Sequence, residues 1–425
     1  MKKYMELANY YFRKCPYYEI ATCDEDKSRP YFIICNKTLD TYIKISSDFL
    51  LIFAGMDGQT SMSDIIDNVF IGREPPDPTM IIKYISLLYK KQMIIPNNNS
   101  DQNYHFIDSS QNPNNRRWLP IMDDLIDKIK SGFSAKCADR IVTIIYKYFG
   151  KFLFTGSGLI SIAIISILGI ILFISFLSEH LYLTEQWLSS NLSIWILMVL
   201  SAGIFISIAG HELGHALTCK HNGRKIIAIG IKFTFGLPTL FTDTSDMWML
   251  SKKKRIIIDA SGMIGSILLG SLSTIMTLVV ASNSAIRGLL FLSGGLNYLS
   301  VLFSLIPFSR SDGYYILEDL FDIPNFKEIS LASLLNYHAW DRIIRHDFDS
   351  PISFWIFAYG ISFIIFWSCI MLVAVFIFHF LCGTYLSERY GVYYTIGEAI
   401  MLLLLFIATG IRLVANAKIN YNQEI

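Results

Sequence analysis

Residues 192–219 read LSIWILMVLSAGIFISIAGHELGHALTC. The stretch carries no charge up to Gly210 and is longer than the roughly 20 residues an α-helix needs to cross a bilayer. It then runs into His211-Glu212-Leu213-Gly214-His215, an H-E-x-x-H pattern. Histidines at i and i+4 share one helix face, so both imidazoles reach one metal ion. Glu212 stands beside them, positioned to take a proton from a metal-activated water. Ionisable groups at the end of a membrane span are costly unless they are used. This one stretch therefore predicts both an architecture and a chemistry.

Working outward, apolar stretches of spanning length fall at about 152–178, 192–219, 256–282, 288–308, 353–382 and 391–416. Hydrophobic residues make up 53% of the 425-residue chain and charged residues 17%, against about 25% charged in ordinary soluble proteins. The charges are uneven: residues 1–150 hold 19 of the 36 Lys and Arg and 18 of the 35 Asp and Glu. The expected class is an α-helical polytopic membrane protein with about six transmembrane helices and a small cytoplasmic α/β, winged-helix-like N-terminal domain. Its expected parts are 1–105, a peptide-recognition domain; 106–150, a linker and juxtamembrane amphipathic segment; and 151–425, the six-span membrane domain.

The start, MKKYMELANYYFRKC, has no continuous apolar core of the kind a signal peptide needs, so residues 1–150 are expected in the cytoplasm. With that end inside, the inner segments hold Lys220, Arg224, Lys225, Lys232, Lys252 to Arg255, Arg310, Lys327, Arg342, Arg345 and Lys418, and the outer loops only Arg287 and Arg389. That asymmetry supports six spans with both termini cytoplasmic, in a bacterial plasma membrane. Seven scattered cysteines, an odd number with no C-x-x-C, exclude a disulfide framework and a cysteine-rich zinc ribbon. A net charge of +1 and the lack of a basic stripe argue against nucleic acid as a partner.

Within the N-terminal part, Tyr31 to Ile34 and Tyr42 to Ile45 form a hairpin around an Asn36-Lys37-Thr38 turn. Ser46 or Ser47 starts a helix through about Ala54, and Thr60 or Ser61 caps one carrying Ile65, Ile66 and Val69. Ile81, Ile82, Ile85, Leu88 and Tyr89 recur at helical spacing, followed by a short strand at Met93 to Ile95. Residues 121–149 are amphipathic and expected on the membrane surface. Residues 224–241 read as a hairpin with a Gly236-Leu237-Pro238 turn, whose edge near the metal can hold an extended peptide by strand addition.

Two groups compete as third metal ligand. His221 follows His215 by six residues, the spacing soluble metzincins use, but Thr218 stands where their turn has glycine. Asp312 follows Pro307, which ends the fourth span, and precedes Gly313. It is expected on irregular backbone lining a cavity, on the same side of the membrane as the end of the second span. The topology favours Asp312, and His221 stays as the possible alternative ligand. Glu398, Arg412 and His379 read as groups near span ends and Asp259 as a partner of the basic run before it.

Residues 195–320 resemble the site-2 protease family of intramembrane zinc metalloproteases. The resemblance implies zinc held by His211, His215 and Asp312, with Glu212 catalytic, since that family takes its aspartate ligand from an Asp-Gly five residues after a proline. The family's substrate-holding asparagine, three residues before that proline, is Ser304 here, and Asn297 lies two turns earlier as the other candidate for substrate binding. Its Ala-Gly-Pro corresponds to Ala260-Ser261-Gly262-Met263. Asp243, Asp246 and Trp248 resemble the Asp-x-x-Asp-x-Trp segment of the peptide zinc metalloprotease branch, which implies a role in peptide maturation or export; the two carboxylates are read either as orienting that segment or as solvated loop groups. The N-terminal unit resembles the winged-helix element typified by the pyrroloquinoline-quinone peptide chaperone, which binds the leader of a ribosomally made peptide.

The resulting expectation is an intramembrane zinc metallopeptidase. It would act on a peptide or small precursor whose leader is bound by the N-terminal domain, with membrane lipid and a peptide exporter as further partners. The rival expectation is a non-proteolytic membrane component of a peptide export or immunity system, which would bind peptide around a closed metal site.

Overall fold

The computed structural model describes residues 10–22, 31–72, 78–97, 133–135, 138–178, 194–234, 237–281, 285–323, 325–334 and 351–390. The chain divides into two compact units, Met1–Leu305 and Ile306–Ile425.

The first unit begins with a small strand domain. Strands β1 (Phe12–Lys14) and β5 (Ile94–Pro96) pair antiparallel and tie its start to its end. Between them β2 (Tyr18–Thr22), β3 (Tyr31–Asn36) and β4 (Thr41–Ser46) form an antiparallel meander, followed by helices α1 (Ser47–Gly55), α2 (Met62–Val69) and α3 (Pro78–Lys90). The expected hairpin is β3–β4. Its turn is held by the Asn36 side-chain oxygen, which accepts from the backbone N–H of Thr38, and it passes through Asp40 in the left-handed region at φ 52°. Ser61 caps α2 by accepting from the Asp64 N–H, satisfying a donor the helix end leaves open. Ile34, Ile43 and Ile45 of the sheet pack on Ile52, Phe53, Ile65, Ile66, Ile81, Ile85 and Leu88 of the helices, so the period-3.6 residues of the sequence are the core. The alternate residues of β3, Tyr31, Ile33 and Cys35, are buried as well, against Trp248 and Met249. A strand covered on both faces reads as a continuous apolar run, as Tyr31 to Cys35 does.

After this domain come the long helices. Strand β6 (Phe133–Ala135) leads to α4 (Ala138–Ile145), a π-helical turn at Tyr146–Gly150 and α5 (Gly156–Ser175). Helix α6 is Ile194–His221. Strands β7 (Ala228–Thr234) and β8 (Leu237–Asp243), a 3-10 turn at Ser245–Met249, and helices α7 (Lys252–Met276) and α8 (Ala285–Leu305) complete the first unit. In the second unit α9 (Asp312–Phe321) and α10 (Phe326–Leu334) precede α11 (Pro351–Tyr390).

Among the described residues four helices are long and apolar enough to cross a membrane, at Gly156–Ser175, Lys252–Met276, Ile286–Leu305 and Phe354–Val373. The second expected span is the single helix α6. The sixth, with Glu398 and Arg412, lies outside the described residues. Two boundaries differ from expectation. Helix α7 starts at Lys252, because its basic first turn is helical although too charged for hydrocarbon. Helix α11 runs unbroken to Tyr390, through the expected loop at Arg389, as no proline interrupts it after Pro351.

Helix α7 is the centre of the first unit, with 44% of its spanning window buried against 11% for α5. It meets α6 through small residues. A Cβ on Gly214 would overlap the Ser261 carbonyl oxygen, so only glycine admits this backbone approach. Helix α8 is joined to α6 in the interior, where the Ser207 hydroxyl donates to the Asn297 side-chain oxygen at 2.7 Å.

Strand β7 is central in an antiparallel sheet of order β6-β7-β8. The expected hairpin is present, but Leu237 and Pro238 belong to β8, not to the turn. The third strand comes from the segment expected to be juxtamembrane; three residues are too few to show a period.

In the second unit, Phe326, Leu331, Tyr359 and Phe363 form one cluster, with Phe308 packed on it. Two carbonyls at the proline break are taken up by α11: Tyr359 Oη donates to the Pro307 oxygen at 2.7 Å and Trp367 Nε1 to that of Phe308 at 3.3 Å.

Candidate metal centre

One turn of α6 separates His211 from His215, and their Nε2 atoms converge to 3.2 Å. Each ring is oriented from α7. His215 Nδ1 lies 2.7 Å from the Ile258 carbonyl oxygen and His211 Nδ1 lies 3.0 Å from Ser266 Oγ. A carbonyl only accepts, so His215 carries its proton on Nδ1 and presents the Nε2 lone pair, the form a metal takes. Nitrogens about 2.0–2.1 Å from a tetrahedral zinc stand roughly 3.3 Å apart, close to the separation seen. The space between the rings depends on Gly262: a Cβ there would come 2.8 Å from His211 Nε2 and closer still to His215 Nε2.

Asp312 opens α9 directly after Ser311, whose hydroxyl donates to the Ile306 carbonyl at 2.6 Å and closes the turn past Pro307. The aspartate was expected on irregular backbone beside a glycine turn. It is instead the first helical residue, where a carboxylate is favoured by the helix dipole, and Gly313 lies inside the helix. His211, His215 and Asp312 form a group that can hold a metal ion, one ligand atom from each, all within 4.8 Å of one another. Two imidazoles and a carboxylate are a donor set that divalent transition metals take.

No family model matches this chain, and no curated protein or solved structure does. The site therefore rests on its own geometry.

Other residues singled out in the sequence lie in different company. His221 is outside the metal group: its ring stacks on Phe154 at 4.2 Å between centroids, and its Nδ1 is 3.0 Å from Tyr146 Oη. Asn297 is buried and tied to Ser207 on α6 and to the Ser293 carbonyl, so it joins two helices. Ser304 is half-buried near the end of α8. Glu212 is half-buried, and its backbone oxygen accepts from Thr242 Oγ1 at 3.5 Å, so the edge strand β8 runs beside the H-E-x-x-H turn. His379 belongs to α11 and Asp259 is buried in α7.

The two carboxylates after β8 divide in role. Asp243 Oδ1 accepts from the N–H and hydroxyl of Ser245, which turns the chain locally. Asp246 is not solvated: it is buried and accepts from Arg224, Tyr42 and the Lys225 N–H. Burial pushes its pKa up, but those hydrogen bonds outweigh burial and hold the carboxyl below its ordinary value. Ser266 and the Ile258 carbonyl, the ring partners, were not among the residues singled out in the sequence. Ser266 lies four residues after Gly262, on the same face of α7, and that spacing was the available signal.

Proposed function

We propose that this chain is a zinc-dependent membrane endopeptidase of the site-2 protease type, cleaving a peptide or small precursor at the cytoplasmic face of a bacterial plasma membrane. The observation that carries this reading is the group His211, His215 and Asp312 with Glu212 between its two histidines. His211 and His215 would hold zinc through Nε2 and Asp312 through a carboxylate oxygen. Zinc in such a centre supplies Lewis acidity toward a peptide carbonyl and acidifies water. Glu212 accepts the proton of the attacking water and returns it to the leaving amine. Ser266 and the Ile258 carbonyl keep the two rings aimed while this happens.

The substrate chemistry follows from what lies beside Glu212. Strand β8 is the edge of its sheet and touches the Glu212 backbone through Thr242, which favours an extended peptide laid along that edge. The N-terminal domain, with its meander and three helices, is read as a winged-helix-like element that captures the leader segment on a sheet edge and raises the local concentration of substrate. Maturation or export of a ribosomally made peptide is the setting these parts suit. A purely structural metal site, as in a binding or export component, needs a fourth protein ligand. Among the described residues the group has three, with His221 engaged by Tyr146 and Phe154.

The test pairs metal content with cleavage. The detergent-purified parent is expected to hold one zinc per chain, lost in Asp312→Ala and kept in His221→Ala. Incubated with a mixed set of unstructured peptides, the parent should generate new termini, read by mass spectrometry, that disappear with Asp312→Ala. A folded parent that takes up no zinc when zinc is supplied ends the peptidase reading.

A further inference from the structure

The Asp246 carboxylate joins parts of the chain that are far apart in sequence. Oδ1 accepts from Tyr42 Oη of β4 at 2.9 Å and from Arg224 Nη2 at 2.7 Å, and Oδ2 accepts from the Lys225 N–H at 3.0 Å. Arg224 also donates through Nε to the Asp246 carbonyl at 3.2 Å and faces Glu19 of β2 at 3.5 Å. Lys225 pairs with Asp40, in the β3–β4 turn. Nearby, Arg255 Nη2 donates to Tyr31 Oη at 3.0 Å and Nη1 to the Leu250 carbonyl at 3.1 Å. Under this polar ring lies the apolar contact of Tyr31, Ile33 and Cys35 with Trp248 and Met249. Every strand of the meander thus has a residue on the segment between the end of α6 and the start of α7.

That segment is continuous with the metal site. Thr242, which touches the Glu212 backbone, is four residues before Asp246, so at about 3.5 Å per extended residue the two are at most roughly 14 Å apart.

We propose that Asp246 is a positioning residue that latches the N-terminal strand domain onto the Ser245–Met249 turn and so holds it within reach of Glu212. Resting on the peptidase reading, the latch fixes the distance between a peptide segment captured on the N-terminal sheet and the bond that is cut. The buried carboxylate is the common acceptor. Its removal leaves the Arg224 guanidinium with Glu19, at 3.5 Å, in place of the closer and more buried carboxylate, which costs more than the hydrogen bonds alone. One face of the sheet is committed to this contact, so a captured peptide has the sheet edges at β2 and β4 and not that face.

Two buried thiols make the latch measurable in the full chain. Cys35 is buried in the docked face, and Cys15 is buried within the N-terminal domain, away from that cluster. A polar maleimide is applied to the purified protein and each cysteine is followed by peptide mass spectrometry. In Asp246→Ala, Cys35 should react roughly tenfold faster or more, while Cys15 keeps its parental rate and zinc content is unchanged. A merely structural loss would expose both thiols together. Cys35 reacting no faster than in the parent overturns the latch. Should Asp246→Ala also expose Cys15, Tyr42→Phe decides. It removes the crossing hydroxyl, which also bonds the Cys35 thiol, so the rates in both variants are compared per thiolate, from their pH dependence. Cys35 alone accelerated, by roughly threefold or more, supports the latch, and an unchanged Cys35 rate overturns it. A parent without zinc or cleavage ends the peptidase reading, and the thiol rates still judge the latch.

Discussion

Replacing Gly262 with alanine is expected to empty the metal site while leaving the helices in place. The added Cβ would sit 2.8 Å from His211 Nε2 and closer to His215 Nε2, in the space where the ligand atoms converge. Neither ring can retreat easily. His215 is buried and held by the Ile258 carbonyl, and His211 is held by Ser266. Moving α7 outward would open the close backbone approach of Gly214 to Ser261, the residue before Gly262, and lose the packing between the two helices. Alanine favours a helix more than glycine does, so helix content should hold or rise. Zinc per chain should fall from one to near zero, with size-exclusion profile and circular dichroism unchanged. Stoichiometric zinc in Gly262→Ala would falsify the assignment of these nitrogens as ligands. Ser266→Ala is the milder companion: it loosens one ring and should weaken zinc by roughly tenfold or more without abolishing binding.

Glu212→Gln is expected to give the converse result, full zinc and no turnover. Glutamine keeps the size and the hydrogen-bonding reach of glutamate but cannot accept the proton of the attacking water. General acid–base groups contribute about 10²–10⁴ in rate, and a residue serving as both base and acid belongs at the upper end. Cleavage should drop by roughly a thousandfold or more, with zinc held at one per chain. Turnover surviving in a zinc-loaded Glu212→Gln sample would remove Glu212 from the reaction. The two variants separate the site's functions: one loses the metal with the base intact, the other loses the base with the metal intact.

How far the sequence carries depends on how local each determinant is. The spacing of His211 and His215 within one helix fixes that both rings share a face, so two of the three members of the metal group are legible from five letters. Helices α5, α7, α8 and α11 follow from apolar length, and the hairpin β3–β4 from two β-prone runs around Asn36. Strands β1 and β6 were missed because three residues carry no period and exist only through their partners β5 and β7. Asp246 was read as an orienting or a solvated carboxylate because its partner Tyr42 is 204 residues away and its burial comes from a domain packed on it. Gly262 stood inside a motif already quoted, Ala260 to Met263, but its meaning is a distance between helices, which no single helix encodes.

Strand β3 has a consequence for anyone handling the N-terminal domain by itself. Its two faces answer to different masters, Ile34 to the helices α1 to α3 and Ile33 to the Trp248–Met249 turn. Cut free near residue 97, the domain would keep its own core but turn Tyr31, Ile33 and Cys35 out into water as one greasy patch. Such a fragment should self-associate in solution. A soluble version calls for polar replacements at Tyr31 and Ile33, with every residue of the inner face left untouched.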